Sequence, residues 1–233
     1  MNIALLGYGK MGKTLERLAS GKGHRIVFKR SGKGDEGTIT DADAAIDFST
    51  PEAAFENIKW ALEQDIPVVS GTTGWLEDYS KITGLCQARN GSFIYASNFS
   101  VGVNLFFTIN EYAARLMQPW KQYMVSIEEA HHTQKKDAPS GTAIALAEGI
   151  LKHSDKKGWK LDKAEENEIK ITAQRLGDVK GVHKVEYTSK MDVISLKHEA
   201  HNREGFALGA ILAAEWLLGK KGFFTMKDVL GIK

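Results

Sequence analysis

The chain has 233 residues, 42% of them apolar, enough for the packed core of one large domain or two small ones. Its net charge of +2, from 31 basic against 29 acidic residues, leaves no basic tail for nucleic acid and no polybasic membrane anchor. The single cysteine, Cys86, excludes an intramolecular disulfide and a cysteine-cluster metal site, and no apolar run approaches the ~18 residues that a membrane span requires.

Asn2 to Leu6 is an apolar run of strand length that leads straight into Gly7-Tyr8-Gly9-Lys10-Met11-Gly12. No signal peptide precedes that strand, so a cytoplasmic enzyme is expected. Met11, Leu15, Leu18 and Ala19 recur at helical spacing, so the glycine motif sits between a strand and a helix. In that position Gly7 makes a tight turn, Gly9 lets backbone approach a pyrophosphate, and Gly12 lets helix pack on strand. Dinucleotide binding is the reading, against a structural glycine turn as the alternative.

Arg25 to Phe28 predicts a second strand, with Lys29-Arg30-Ser31 at its end where an acid would select the ribose hydroxyls of NAD. Two cations and a hydroxyl suit a 2′-phosphate, which leans toward NADPH over NADH; a solvated basic turn is the alternative. Ala44 to Phe48 is the third strand, after a short connection rich in Gly and Asp. Thr50-Pro51-Glu52 marks a helix start, with a hydroxyl at the N-cap, proline at the first helical position and an acid at the positive dipole end. Pro67 to Ser70 is a strand, Leu76 to Ala88 a helix and Ser92 to Ala96 a fifth strand. Strands alternating with helices predict a Rossmann-like, doubly wound parallel sheet. Two loops at strand ends, Gly71-Thr72-Thr73-Gly74 and Ala96-Ser97-Asn98-Phe99, belong to its ligand-binding edge.

After Asn98 the pattern changes. Val103 to Met117 predicts a long helix, Tyr123 to Ala130 a strand and Thr142 to Leu151 a helix. Ile169 to Arg175, Val182 to Thr188 and Met191 to Lys197 follow as strands separated by turns. These predict an α+β substrate domain with a mostly antiparallel sheet. Phe206 to Leu218 is a further helix, and Phe223 to Met226 precedes a short tail that docks on the first domain. The expected division is therefore a dinucleotide-binding domain of residues 1–98 and 206–233, and a substrate-binding and oligomerisation domain of residues 99–205.

Polar chemistry concentrates in residues 129 to 142, from Glu129-Ala130-His131-His132 through Lys135 and Asp137 to Pro139-Ser140-Gly141-Thr142. Adjacent histidines in extended chain point to opposite sides and cannot readily chelate one ion, so no metal is expected. The Pro-Ser-Gly-Thr step opens a helix whose free amides, at Gly141 and Thr142, suit a carboxylate. An anionic substrate with imidazole and ammonium placed to move protons is the chemistry implied.

This segment resembles the signature of the 4-hydroxy-tetrahydrodipicolinate reductase (dihydrodipicolinate reductase) family. Asp47-Phe48-Ser49 with Pro51-Glu52, Gly71 to Gly74, Asn98 to Asn104, and Phe206-Ala207 with Gly209-Ala210 through Trp216-Leu217 match it in the same order. The resemblance implies NAD(P)H-dependent reduction of 4-hydroxy-tetrahydrodipicolinate to tetrahydrodipicolinate, with loss of water, in lysine biosynthesis through diaminopimelate. It assigns His131 as proton donor and acceptor, Lys135 as proton donor, and His132, Gly141 and Thr142 as substrate contacts. It assigns Gly7, Tyr8, Gly9, Lys10, Met11, Gly12, Gly71, Thr72, Thr73, Ala96, Ser97, Asn98 and Phe99 to the cofactor, beside Lys29 and Arg30. It also implies a homotetramer built through the substrate-domain sheet and a small dicarboxylate as substrate; the charge balance and the lack of a long apolar run leave neither a nucleic acid nor a membrane as an expected partner. Members commonly carry an acid followed by arginine where this chain has Lys29-Arg30, and their glycine loop is often one residue longer. Another reductase of the same architecture, acting on an imino acid, and a nucleotide sensor without catalysis remain as rivals. A sensor would need the glycine loop but not the histidines and lysine.

Overall fold

The computed structural model describes residues 1–232 and forms two compact units, Met1–Val101 together with the chain from Glu204 onward, and Gly102–Arg203. The first holds a seven-stranded sheet: β1 (Asn2–Leu6), β2 (Arg25–Ser31), β3 (Gly34–Gly37), β4 (Ala44–Asp47), β5 (Val68–Ser70), β6 (Ser92–Tyr95) and β12 (Gly222–Phe224). Its spatial order is β12-β6-β5-β4-β1-β2-β3, parallel throughout except for β3, which returns antiparallel on β2.

Alternation along the strands sends side chains to two cores. Ile3, Leu5, Ile46, Val69 and Ile94 pack on one face against α1 (Lys10–Gly21) and α6 (Glu204–Leu217). Ala4, Leu6, Ala45, Val68 and Phe93 pack on the other against α2 (Pro51–Glu63) and α3 (Tyr79–Ala88). Each fully buried Leu or Ile stabilises this sandwich by about 2 kcal/mol. With both faces covered, the strands read as near-continuous apolar runs, which is why they stand out in the sequence.

In the second unit, β7 (Met124–His131) lies at the centre of a five-stranded sheet with β8 (Gly158–Leu161), β9 (Glu168–Arg175), β10 (Val182–Thr188) and β11 (Val193–Glu199). The sheet is mixed: β11, β10 and β7 pair antiparallel, whereas β7, β9 and β8 pair parallel. One face carries Val125, Ile127, Ile169, Ile171 and Val185 against α4 (Val101–Met117) and α5 (Gly141–Leu151). Among the described residues no helix is long and apolar enough to cross a membrane.

Local chemistry explains the departures from the sequence reading. β3 lies in the Gly- and Asp-rich stretch expected to be a connection; all four of its residues are exposed, and β2 supplies its hydrogen bonds. β2 runs on through Lys29, Arg30 and Ser31, so the cations lie on a strand and not in a turn. Thr50 does cap α2, but through its carbonyl, which accepts from the Ala53 and Ala54 amides, and not through its hydroxyl. The tail extends the first sheet through β12, which is parallel to β6, and α7 (Met226–Leu230) buries Met226 in the core.

Candidate functional site

In the first unit the glycine loop joins β1 to α1. Gly7 has φ +108°, and a Cβ there would meet the Phe48 carbonyl oxygen at 2.2 Å, so the turn requires glycine. A Cβ on Gly12 would lie 2.4 Å from the Gly7 carbonyl oxygen, whereas nothing stands within 4 Å of the same position on Gly9. Two glycines thus serve packing and the middle one leaves open space over the start of α1, as a pyrophosphate site needs.

The loops after β4, β5 and β6 are tied together beneath this edge. Asp47 is fully buried and accepts from the hydroxyls of Ser49 at 2.6 Å, Ser70 at 2.8 Å and Thr72 at 2.8 Å. Burial pushes its carboxyl above the usual range, and those hydroxyls oppose the shift. Thr72 also accepts the Ser49 amide at 2.9 Å, so its hydroxyl is committed to the protein, while Thr73, Ser97 and Gly9 are exposed. Phe99 is buried in the core at 6.1 Å from Phe48, which leaves its backbone, not its ring, to meet a ligand.

Lys29 and Arg30 are already paired. The Lys29 ammonium lies 2.6 Å from Glu16, whose carboxylate also accepts from the Tyr8 hydroxyl. Arg30 makes a two-pronged bond to Asp35 on β3, donates to Asn57 at 3.1 Å, and lies over Trp60 at 4.0 Å. A 2′-phosphate at this corner would compete with Glu16 and Asp35 for the two cations.

In the second unit the polar segment begins on β7. Its alternation buries Val125, Ile127, Glu129 and His131 on one face, so the core-facing row ends in an acid and an imidazole. Register does the rest: Glu129 faces His183 on β10, and His131 faces Arg175 on β9. The His131 and His183 rings stand 5.0 Å apart, and the Glu129 carboxylate lies 3.6 Å from His131 Nδ1, beyond hydrogen-bond range. Burial holds the His131 imidazole below its ordinary pKa; Lys135 and Arg175 push the same way and Glu129 and Asp137 oppose them. His183 is pushed down to about 3, chiefly by burial and then by His131, so it stays neutral.

After β7 the chain turns, with the Lys135 amide donating to the His132 carbonyl at 3.1 Å. The Lys135 ammonium is held by both oxygens of Asp137, at 2.7 and 2.8 Å, which keeps that carboxyl below the usual range. His132 Nε2 accepts from Arg203 at 3.2 Å. Ser140 is the N-cap of α5, its hydroxyl accepting the Ala143 amide at 3.2 Å. Among the described residues nothing accepts from the Gly141 and Thr142 amides, so two donors at the positive end of an eleven-residue helix stand open. Arg175 and His183 are the members of this cluster that the sequence reading did not place in the site, and Glu129 opened the polar segment without being given a role. The period-2 rows Val125-Ile127-Glu129 and His183-Val185-Tyr187 were the available signal. Glu129, His131 and His183 each bring one donor atom within 4.8 Å of the others. Because the Arg175 guanidinium sits 3.3 Å from that carboxylate, the cluster is an ion-pair network that disfavours a further cation.

Comparison with known proteins decides the family. The model of dihydrodipicolinate reductase, N-terminus, matches residues 1–99, and that of dihydrodipicolinate reductase, C-terminus, matches residues 102–230. The chain belongs to the dihydrodipicolinate reductase family. It is 54% identical over 233 residues to the 4-hydroxy-tetrahydrodipicolinate reductase of Christiangramia forsetii, covering 99% of this chain and 98% of that one. It is 38% identical over 262 residues to the enzyme of the same name from Archaeoglobus fulgidus, covering 99% and 100%. In fold it is similar to a dipicolinate-bound dihydrodipicolinate reductase from Paenisporosarcina sp. TG-14, with a TM-score of 0.79, 24% identity and 98% of each chain covered.

Proposed function

We infer that this dihydrodipicolinate reductase family member catalyses the NAD(P)H-dependent reduction of 4-hydroxy-tetrahydrodipicolinate to tetrahydrodipicolinate, with loss of water, in the diaminopimelate route to lysine. The observation that carries the reading is the stretch from the end of β7 to the start of α5, where a buried imidazole, an ammonium and two open helix amides follow one another in the chain. A ring with two carboxylates needs donors at its ends, and negative charge builds on the ring during reduction.

His132 and the Gly141 and Thr142 amides hold a substrate carboxylate. The Lys135 ammonium exchanges Asp137 for the substrate, steadies the charge that develops on the ring and donates the proton it takes up. His131, buried and predominantly neutral, accepts and returns a proton as the 4-hydroxyl leaves as water. The bound nicotinamide supplies hydride to C4 of the ring. Gly7 to Gly12, Gly71 to Thr73 and the backbone from Ala96 to Phe99 hold that cofactor; the open space at Gly9 fits a pyrophosphate. Lys29 and Arg30 favour NADPH over NADH by trading Glu16 and Asp35 for the 2′-phosphate. Four copies assemble through the second unit's sheet, which exposes Met124, Val193 and Ile194, with Met191 exposed in the turn before β11. One buried, unpaired cysteine suits the reducing cytoplasm, where we place the reaction.

The test is turnover. Purified protein given NADPH and heterocycle freshly formed from pyruvate and aspartate semialdehyde should oxidise the cofactor, whereas oxaloacetate with ammonia should not support oxidation. Lys135→Ala should bind NADPH as the parent does yet lose about a hundredfold or more in kcat. Equal turnover by that variant removes Lys135 from the chemistry. A fluorescence titration should show NADPH binding more tightly than NADH, and equal affinities would refute the role given to Lys29 and Arg30.

A further inference from the structure

The loop that carries Lys135 is held from below by two side chains with no part in the chemistry just described. Arg175, at the end of β9, donates from Nε to the Lys135 carbonyl at 3.2 Å, from Nη2 to the Asp137 carbonyl at 2.5 Å, and from Nη1 to the Gln174 carbonyl at 2.8 Å. The same guanidinium reaches Glu129 Oε1 at 3.3 Å. Glu129 in turn accepts the Ser140 amide on both oxygens, at 3.1 Å each. Ser140 Oγ lies 3.1 Å from His183 Nε2. One ion pair thus grips the middle of the loop through Arg175 and its far end, where α5 begins, through Glu129.

We propose that the Glu129–Arg175 pair is a positioning clamp, which sets the Lys135 ammonium and the Gly141 and Thr142 amides in register with His131 for reaction. The proposal rests on the reading of His131, Lys135 and the two amides given above. Glu129 is fully buried and Arg175 half-buried, and an ion pair so placed is a poor source of stability, since an apolar pair of the same volume does as well, so its place here calls for another role. Geometry supplies one. Only a planar fork reaches two loop carbonyls and a carboxylate together, which a lysine cannot do. The clamp also sets the charge around His131. Facing that imidazole are Glu129 on its own strand, Arg175 on β9, His183 on β10, and Lys135 and Asp137 from the loop. Glu129 and Asp137 favour its protonated form; Lys135 and Arg175 oppose it.

The experiment uses the full-length protein as Arg175→Lys, Arg175→Gln, Arg175→Ala and Glu129→Gln variants, with kcat, KM for the heterocycle, the pH profile of kcat/KM, and NADPH affinity as readouts. Arg175→Lys, which keeps the charge but loses the fork, should cost about a hundredfold in kcat/KM, as expected for a misplaced reacting group. NADPH affinity should stay within about twofold, because the first unit is untouched. Glu129→Gln should move the His131 limb of the pH profile to lower pH, and Arg175→Gln should move it to higher pH. A merely structural pair would lower stability while leaving kcat/KM of the folded, charge-conserving Arg175→Lys variant at the parent level. Free guanidinium added to Arg175→Ala should restore part of the turnover. The proposal is overturned if Arg175→Lys keeps kcat/KM within about threefold, or if the limbs stay fixed or move together. Should Glu129→Gln fail to fold, the arginine variants decide alone. A parent enzyme that leaves the heterocycle unreduced would instead sink the functional reading itself.

Discussion

His183 makes the stability of the second unit sensitive to acid, and the size of the effect follows from its burial. It is 5% exposed, sits opposite Glu129, and has its pKa depressed from 6.5 to about 3, first by burial and then by His131, His198 and Lys135. Since the folded-state value lies below the unfolded one, this stability is fully present above pH 6.5 and is lost as pH falls toward 3. At about 1.36 kcal/mol per pH unit, the fall from 6.5 to about 3 sets a ceiling of about 5 kcal/mol, of which about 2 kcal/mol is gone at about pH 5. His183→Gln keeps an amide within reach of Ser140 and does not titrate. Urea unfolding followed by circular dichroism at about pH 7.5 and about pH 5 should therefore show the parent losing about 2 kcal/mol more than the variant. The other groups are common to both proteins, so the difference between them reads His183. Parallel losses, within about 0.5 kcal/mol, would refute the claim that His183 is buried neutral.

Asp47→Ala strands the hydroxyls of Ser49, Ser70 and Thr72, and should destabilise the first unit by about 3–5 kcal/mol and weaken NADPH binding; denaturant melts and cofactor titration check both. Gly209→Ala would set a Cβ 1.8 Å from the Phe99 carbonyl oxygen, so it should cost about 3 kcal/mol in a thermal melt and raise the Kd for NADPH. Gly21→Ala, at the end of α1 with nothing within 4 Å, should stabilise by about 0.5–1 kcal/mol in the same assay.

The first unit was legible because its signals are local. A strand buried on both faces reads as an apolar run, Gly7 marks a turn that few other residues could make, and Pro51 marks the first turn of a helix, where proline is favoured. β3 was hidden because Gly34, Asp35, Glu36 and Gly37 have little strand propensity and bury nothing. Its pairing with β2 also places Asp35 on Arg30, which a chain-order reading of two basic residues cannot foresee. β12 escaped as a strand because three residues give no period, and only the open edge of β6 makes them one.

The candidate site divides in the same way. His131, Lys135, Gly141 and Thr142 lie within twelve residues of one another, so their convergence is visible in the string of letters. Glu129, Arg175 and His183 meet only because three strands share a register, and a slip of one residue in β9 would turn Arg175 to the opposite face. The groups that touch substrate can thus be read from a motif, while the partners that hold Glu129 and the loop in place, Arg175 and His183, come from neighbouring strands. That division has a physical basis. Lys135 must exchange Asp137 for the substrate and so sits on a loop, whereas His131 at the end of β7 and the supports around it work only if fixed, and strand register is the stiffest placement the fold offers. Substitutions at Arg175 or Glu129 should therefore alter how the loop is held while leaving every reacting group of the motif intact.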